Sequence, residues 1–177
     1  VRVTESTQLR FKVRALADIK DATVLVWSDK PKGNARRHLG SFKKDETREV
    51  HIVGGHHPDW PFDYFERMIE AVHAARPETQ IKAFTAAEID YFWRRWKIEP
   101  REALIRLKKA GLHSMPGGGA EIFSKRLQKE LHFTGKANAD RWLEIHGIAH
   151  SLGIKTNATM LYGHVESMAE RVEHLLR

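Results

Sequence analysis

The sequence predicts an α/β fold of parallel strands with outer helices, on three observations. Short apolar runs alternate along the chain with stretches of helical spacing, each run stops at glycine or polar residues, and from Arg48 onward that punctuation recurs three times after the first. The order is strand, helix, strand, two helices, strand, two helices, strand, helix. Strict alternation implies right-handed crossovers in either a doubly wound sheet or an arc of a (β/α) barrel. Four repeats do not close a barrel of six or eight strands, and a last helix with no strand after it is expected of a segment of something larger.

The stretch REVHIVGGHHPDWP at 48–61 sets the pattern. Val50, Ile52 and Val53 are β-branched or apolar, and glycines, histidines and Pro58 stop the strand abruptly. Phe62, Phe65, Met68, Ile69 and Val72 then recur at helical spacing, which predicts a helix over Phe62 to Ala75, closed by Pro77. Gln80 to Thr85 reads as the second strand and Ala86 to Trp96 as a helix. Pro100 opens the next helix at its first turn and Gly111 terminates it. Leu112 to Met115 is a short strand, and Ala120 to Leu131 is amphipathic, with Ile122, Phe123 and Leu127 on one face. Asn138 is a suitable cap for a helix that Gly153 ends. Ile154 to Met160 is the fourth strand, and a helix starting near Met168 follows. Ala22 to Trp27 also reads as a strand, within a basic, poorly patterned segment that occupies residues 1–47.

With 177 residues the chain can bury a core as one domain. It contains no cysteine, so it forms no disulfide and supplies no thiolate to a metal or cluster. No apolar run has the length of a membrane span, and a cytoplasmic protein without membrane contact is expected. The net charge of +7 is concentrated in residues 1–48, where 12 basic side chains face 6 acidic ones; the remainder is nearly neutral. Arg36, Arg37, Lys43 and Lys44 therefore read as a solvated loop, and no nucleic-acid partner is expected.

Parallel strands deliver the residues that follow them to one rim. That brings Gly54, Gly55, His56, His57 and Asp59 near Thr85 and Glu88, near Ser114 and Gly117 to Gly119, and near Asn157, Thr159, Tyr162 and His164. Polar groups from four strand ends suit a polar small-molecule ligand. In PGGGAEIF the glycines allow close backbone approach, and a helix beginning there would offer free N–H groups to a carboxylate or phosphate. The same glycines also serve a tight strand-to-helix turn. His56, His57, Asp59 and His164 raise a metal-dependent hydrolase as another reading, although adjacent histidines on an extended chain diverge. Glu88 and Glu121 suit proton transfer or ligand binding, and equally the charge preference of a helix start. His146, His150 and His174 lie on helices away from the rim, as surface or packing residues. Phe92, Trp93, Trp96 and Trp142 have the spacing of helix packing.

VHIVGGHHPDWPFDYF, IKAFTAAEID, GLHSMPGGGAEIF, WLEIHGIAHSLGIKTNATMLYGHVES and ERVEHLLR occur in this order. Together they resemble the aminofutalosine synthases, radical S-adenosylmethionine enzymes of the futalosine route to menaquinone. Cyclic dehypoxanthine futalosine synthase and the deazaflavin synthase subunits share the pattern more loosely. The resemblance spans residues 48–177 and implies a partial (β/α) barrel, incomplete at both ends. It also implies S-adenosylmethionine and a [4Fe-4S] cluster as cofactors, and addition of the 5′-deoxyadenosyl group to 3-[(1-carboxyvinyl)oxy]benzoate to give aminofutalosine. By the same resemblance Gly54, Gly55, His56, Thr85, Glu88, Ser114 and Glu121 bind cofactor. His57, Gly117, Gly118, Asn157, Thr159, Tyr162 and His164 bind substrate. The family's CxxxCxxC cluster loop is absent, so the chain is expected to be inactive alone. An open arc would also expose two strand edges and an apolar inner face, which favours self-association.

Overall fold

A computed structural model of the chain describes residues 48–52, 56–131 and 136–177. The expected strand at Ala22 to Trp27, the basic loop, Gly54 and Gly55 lie outside the described residues. Four strands form one sheet in the order β1 (Glu49–Ile52), β2 (Gln80–Ala83), β3 (Ser114–Met115) and β4 (Lys155–Thr156), every neighbouring pair parallel. The helices are α1 (Phe62–Ala75), α2 (Ala86–Trp96), α3 (Pro100–Ala110), α4 (Lys125–Glu130), α5 (Ala139–Ser151) and α6 (Met168–Leu176). Parallel strands in sequential order with helices in every crossover form an arc of a (β/α) barrel.

Alternation along the strands divides the sheet into two chemically different faces. Val50, Ile81, Ala83, Met115 and Ile154 are buried in the core together with α1, α2, α3 and α5 residues. In register on the other face stand Glu49, His51, Lys82, Ser114 and Lys155. Lys82 Nζ lies 3.1 Å from the Glu49 carboxylate across that face. The inner face is thus polar, contrary to the apolar surface expected of an open barrel, because each strand alternates rather than running apolar throughout.

The helix ends follow their local chemistry. Thr85 and Glu88 form a reciprocal capping box at α2, and Ser167 and Glu170 form another at α6. Pro100 occupies the first position of α3, and Gly111 ends that helix at φ 120°. Asn138 Oδ1 accepts the Arg141 N–H at 2.9 Å to start α5. None of the described helices is long and apolar enough to cross a membrane.

Four expected elements are shorter than the spacing suggests, β3 among them at Ser114–Met115 instead of Leu112 to Met115. The helix expected over Ala120 to Leu131 exists only as α4, because the Phe123 N–H is taken by His174 Nδ1 at 3.1 Å and Glu121 turns to φ 60°. Those positions are buried as a bent segment, so their amphipathic spacing is not a helix face. Similarly, β2 stops at Ala83 because Phe84 adopts φ 60°. Its ring joins the cluster with Phe65 and Phe92, at centroid distances of 5.9 and 5.6 Å, and Thr85 becomes a helix cap. β4 covers Lys155–Thr156 instead of the whole of Ile154 to Met160; Asn157 N–H still reaches the Met115 carbonyl at 3.2 Å.

Candidate functional site

The carboxyl ends of the strands meet around Gly117 to Gly119. Gly117 is pressed against the segment after β4, where an added Cβ would lie 2.5 Å from the Asn157 carbonyl oxygen. Thr159 Oγ1 donates to the Gly117 carbonyl at 2.9 Å. Gly118 and Gly119 face the start of α2, with their Cβ positions 3.6 and 3.5 Å from the Thr85 side chain. Rim segments from β2, β3 and β4 are therefore in mutual contact. His56 joins them from the β1 side, stacked on Tyr91 with ring centroids 4.3 Å apart and interacting with the Ala87 backbone. Its pKa is lowered, first by burial and then by the nearby Arg94 charge, which favours a neutral ring.

The remaining predicted residues take several positions. Ser114 lies on the inner face of β3, with its hydroxyl buried and without a hydrogen-bond partner. Glu88 is committed to the capping box: Oε2 accepts from the Thr85 N–H at 2.8 Å and from Oγ1 at 3.0 Å. Burial raises its pKa against the lowering effect of those bonds. Glu121 is not at a helix start; it pairs with Lys136 at 2.7 Å, and its carbonyl accepts the Leu161 N–H at 2.8 Å. His57 Nδ1 accepts the Asp59 and Trp60 N–H groups at 3.2 and 3.1 Å, so this ring nitrogen organises its own loop. Tyr162 is exposed beneath Arg171, and His164 engages the Leu161 carbonyl and Glu166. Among the described residues neither of these two bonds to the glycine loop, and no group of three metal-ligating side chains occurs.

Several participants were not singled out for the rim from sequence. Tyr91 Oη donates to the His57 carbonyl at 3.0 Å. Trp142 donates from its indole to the Gly117 and Gly118 carbonyls at 3.2 and 3.3 Å. His174 bridges two segments: its Nδ1 holds Phe123, and its Nε2 lies 3.1 Å from the Thr159 carbonyl. It is a packing residue, but one that supports the rim rather than standing away from it. All three are at helical positions whose spacing announces only packing.

The capping box can be tested directly. Thr85→Ala removes the two bonds that the Thr85 hydroxyl makes with Glu88, keeps the one from the Thr85 N–H, and should cost about 1 kcal/mol, read as a lower urea midpoint. An unchanged midpoint would show that the Thr85 hydroxyl contributes nothing to the box.

The family model for the Radical SAM superfamily matches residues 28–177. The chain is 50% identical over 129 residues to aminodeoxyfutalosine synthase of Thermus thermophilus, covering 73% of this chain and 34% of that protein. Its counterpart in Streptomyces coelicolor is 43% identical over 133 residues, covering 75% and 34% respectively. A 5-amino-6-(D-ribitylamino)uracil–L-tyrosine 4-hydroxyphenyl transferase of Methanosarcina mazei is 41% identical over 134 residues, covering 76% and 35%. The chain thus spans about a third of the length of these curated relatives. With a parallel barrel arc, a glycine-built rim and a family match across most of its length, the chain belongs to the radical SAM superfamily.

Proposed function

We propose that these residues form the S-adenosylmethionine- and substrate-binding rim of an aminofutalosine synthase of menaquinone biosynthesis. The reaction assigned to that assembly is transfer of the 5′-deoxyadenosyl group to 3-[(1-carboxyvinyl)oxy]benzoate. The observation that carries the reading is the contact of Thr85, Gly117 to Gly119 and Asn157 to Thr159 in a chain half identical to such a synthase over 129 residues. His56 and the glycine loop suit the cofactor side of the rim. Asn157 and Thr159 are exposed beside the same loop and suit the substrate side.

The superfamily implies an iron–sulfur cluster as well, and the residues present do not fit one. Such a cluster needs thiolates, and the 177 residues contain none. These residues alone therefore bind ligand without supporting the transfer reaction, and no catalytic step is assigned to them. Within the loop, Gly117 and Gly119 are packed against Asn157 and Ala87, and the half-buried Gly118, with only Thr85 Cγ2 near its Cβ position at 3.6 Å, is the one that suits close approach of an adenosyl donor.

Calorimetric titration of the purified chain should show one S-adenosylmethionine site. After incubation with iron and sulfide, no cluster absorbance and no 5′-deoxyadenosine should appear. Failure to bind the cofactor would refute the rim assignment. A stable stoichiometric cluster would refute the assignment of these residues as catalytically incomplete.

A further inference from the structure

Between α2 and the start of α5 lies a cavity of about 400 Å³ lined by Asp90, Trp93, Arg94, Lys136, Asn138 and Arg141. None of these residues belongs to the rim of strand ends. Asp90 is buried and both its oxygens are taken, Oδ1 by Arg141 Nε at 2.8 Å and Oδ2 by Arg94 Nε at 2.9 Å. Arg141 is held further by Glu144 at 2.9 Å and lies over the Trp93 ring, 5.0 Å from its centroid. It is therefore a fixed wall of the cavity. Lys136 enters from the segment before α5, its ammonium 2.7 Å from Glu121.

Donors remain on the other side chains. Arg94 is 42% exposed and, among the described residues, bonds from its guanidinium only through Nε, which leaves Nη1 and Nη2 for a ligand. Asn138 uses Oδ1 to cap Arg141, so its amide nitrogen is still a donor, at the positive end of the 13-residue α5. Lys136 is 40% exposed, and an ammonium has protons beyond the one that Glu121 engages. Asp90, Glu121 and Glu144 balance the three cations in formal charge. At His56, however, Arg94 and Lys136 each outweigh Asp90, so the field in this corner is positive. A guanidinium fork, a point charge and an amide around one cavity suit an anion with more than two acceptor oxygens, which a phosphate group has and a carboxylate lacks.

We propose that this cavity binds a phosphate group, free or carried by a small ester, with Arg94 as its main contact and Lys136 and Asn138 beside it. The volume is at the small end of ligand pockets and admits phosphate with a short organic group. Neither S-adenosylmethionine nor the benzoate acceptor carries a phosphate. The site is thus for a further ligand, and it stands or falls independently of the rim reading.

Calorimetric titration of the purified chain with sodium phosphate and with glycerol 3-phosphate, each against sodium chloride at matched ionic strength, should show a saturable site. Tighter binding of the ester assigns a phosphate ester, and equal or weaker binding of it assigns the free ion. Arg94→Gln, which keeps the bond between Asp90 and Arg141, should weaken binding about tenfold, the scale of one charge-assisted hydrogen bond. Lys136→Gln should weaken it in the same direction. Lys109→Gln, exposed in the last turn of α3 away from the cavity, should leave it unchanged. No saturation, or equal losses in all three variants, overturns the proposal. An independent arm needs no variant: NMR titration of the wild-type His56 ring should give a higher pKa in saturating phosphate, because a bound anion offsets the Arg94 and Lys136 charges that help to hold it down. An unchanged His56 pKa at saturation would place the anion outside this cavity and refute the site.

Discussion

Gly117→Ala is expected to destabilise the protein by about 3 kcal/mol or to prevent folding, whereas Gly118→Ala changes stability by less than about 0.5 kcal/mol. The difference is geometric. At position 117 the new methyl would meet the Asn157 carbonyl oxygen at 2.5 Å, its carbon at 2.7 Å and the Ala158 carbonyl carbon at 3.0 Å, all of them backbone. No side-chain rotation relieves those contacts. Moving Gly117 instead would strain the bonds from Thr159 and Trp142 to its carbonyl. At position 118 the nearest atom is Thr85 Cγ2 at 3.6 Å, an ordinary van der Waals contact. Urea unfolding of both variants measures the contrast, and equal midpoints would show that the β3 and β4 ends are not packed as described. The same pair bears on the rim: Gly117→Ala separates two of its strand ends, so ligand binding should fall with stability.

Much of the architecture is legible because local chemistry and tertiary packing agree. Phe62, Phe65, Met68, Ile69 and Val72 have the helical spacing that α1 buries, and Pro100 with Gly111 brackets α3 as their backbone preferences require. Disagreement arises where a distant side chain captures a backbone group. Ala120 to Phe123 have helical periodicity, but His174, 51 residues onward, takes the Phe123 amide. Nothing in the local sequence shows that competition. The polar inner face is a different case. Glu49, Val50, His51, Ile52 and Gln80, Ile81, Lys82, Ala83 alternate visibly in the sequence. Attention to the apolar members alone gives buried strands; the charged members between them show that only one face joins the helix-covered core.

The candidate site divides along similar lines. Glycines after β3 and polar residues after β4 can be placed at one rim from topology, and the structure brings Gly117 against Asn157. Glu88 supports two readings from sequence, as ligand group or helix-end charge, and its two bonds to Thr85 account for it as a cap. Trp142 shows what spacing conceals. Its ring does pack as its position on α5 suggests, while its single N–H sets the direction of two glycine-loop carbonyls. Burial of a tryptophan requires a partner for that N–H, but only the folded arrangement identifies which one.

His146→Phe should flatten the loss of stability between pH 6.5 and 4. His146 is 3% exposed, and both of its ring nitrogens are buried without a hydrogen-bond partner. Burial first, and then repulsion from His150, hold its pKa down at about 4. A histidine in the unfolded chain titrates near 6.5, so the unfolded state takes up the proton first as the pH falls. Stability from this group is therefore complete above about pH 6.5 and disappears progressively toward pH 4, by about 2 kcal/mol after allowance for solvent screening. His56 and His174 also have lowered pKa values and contribute in the same direction, so the variant should reduce the slope rather than abolish it. At pH 7 the phenyl ring should retain the stack on Trp142 and remove two unpaired polar atoms, leaving stability equal to or above wild type. Urea midpoints measured from pH 7.5 to 4 decide the matter. Parallel curves for the two proteins would mean that His146 does not titrate differently on folding. Because Trp142 rests on this ring, the wild-type glycine loop should also loosen at the acid end of the range, visible as faster exchange of the Ala137 amide that bonds to Gly119.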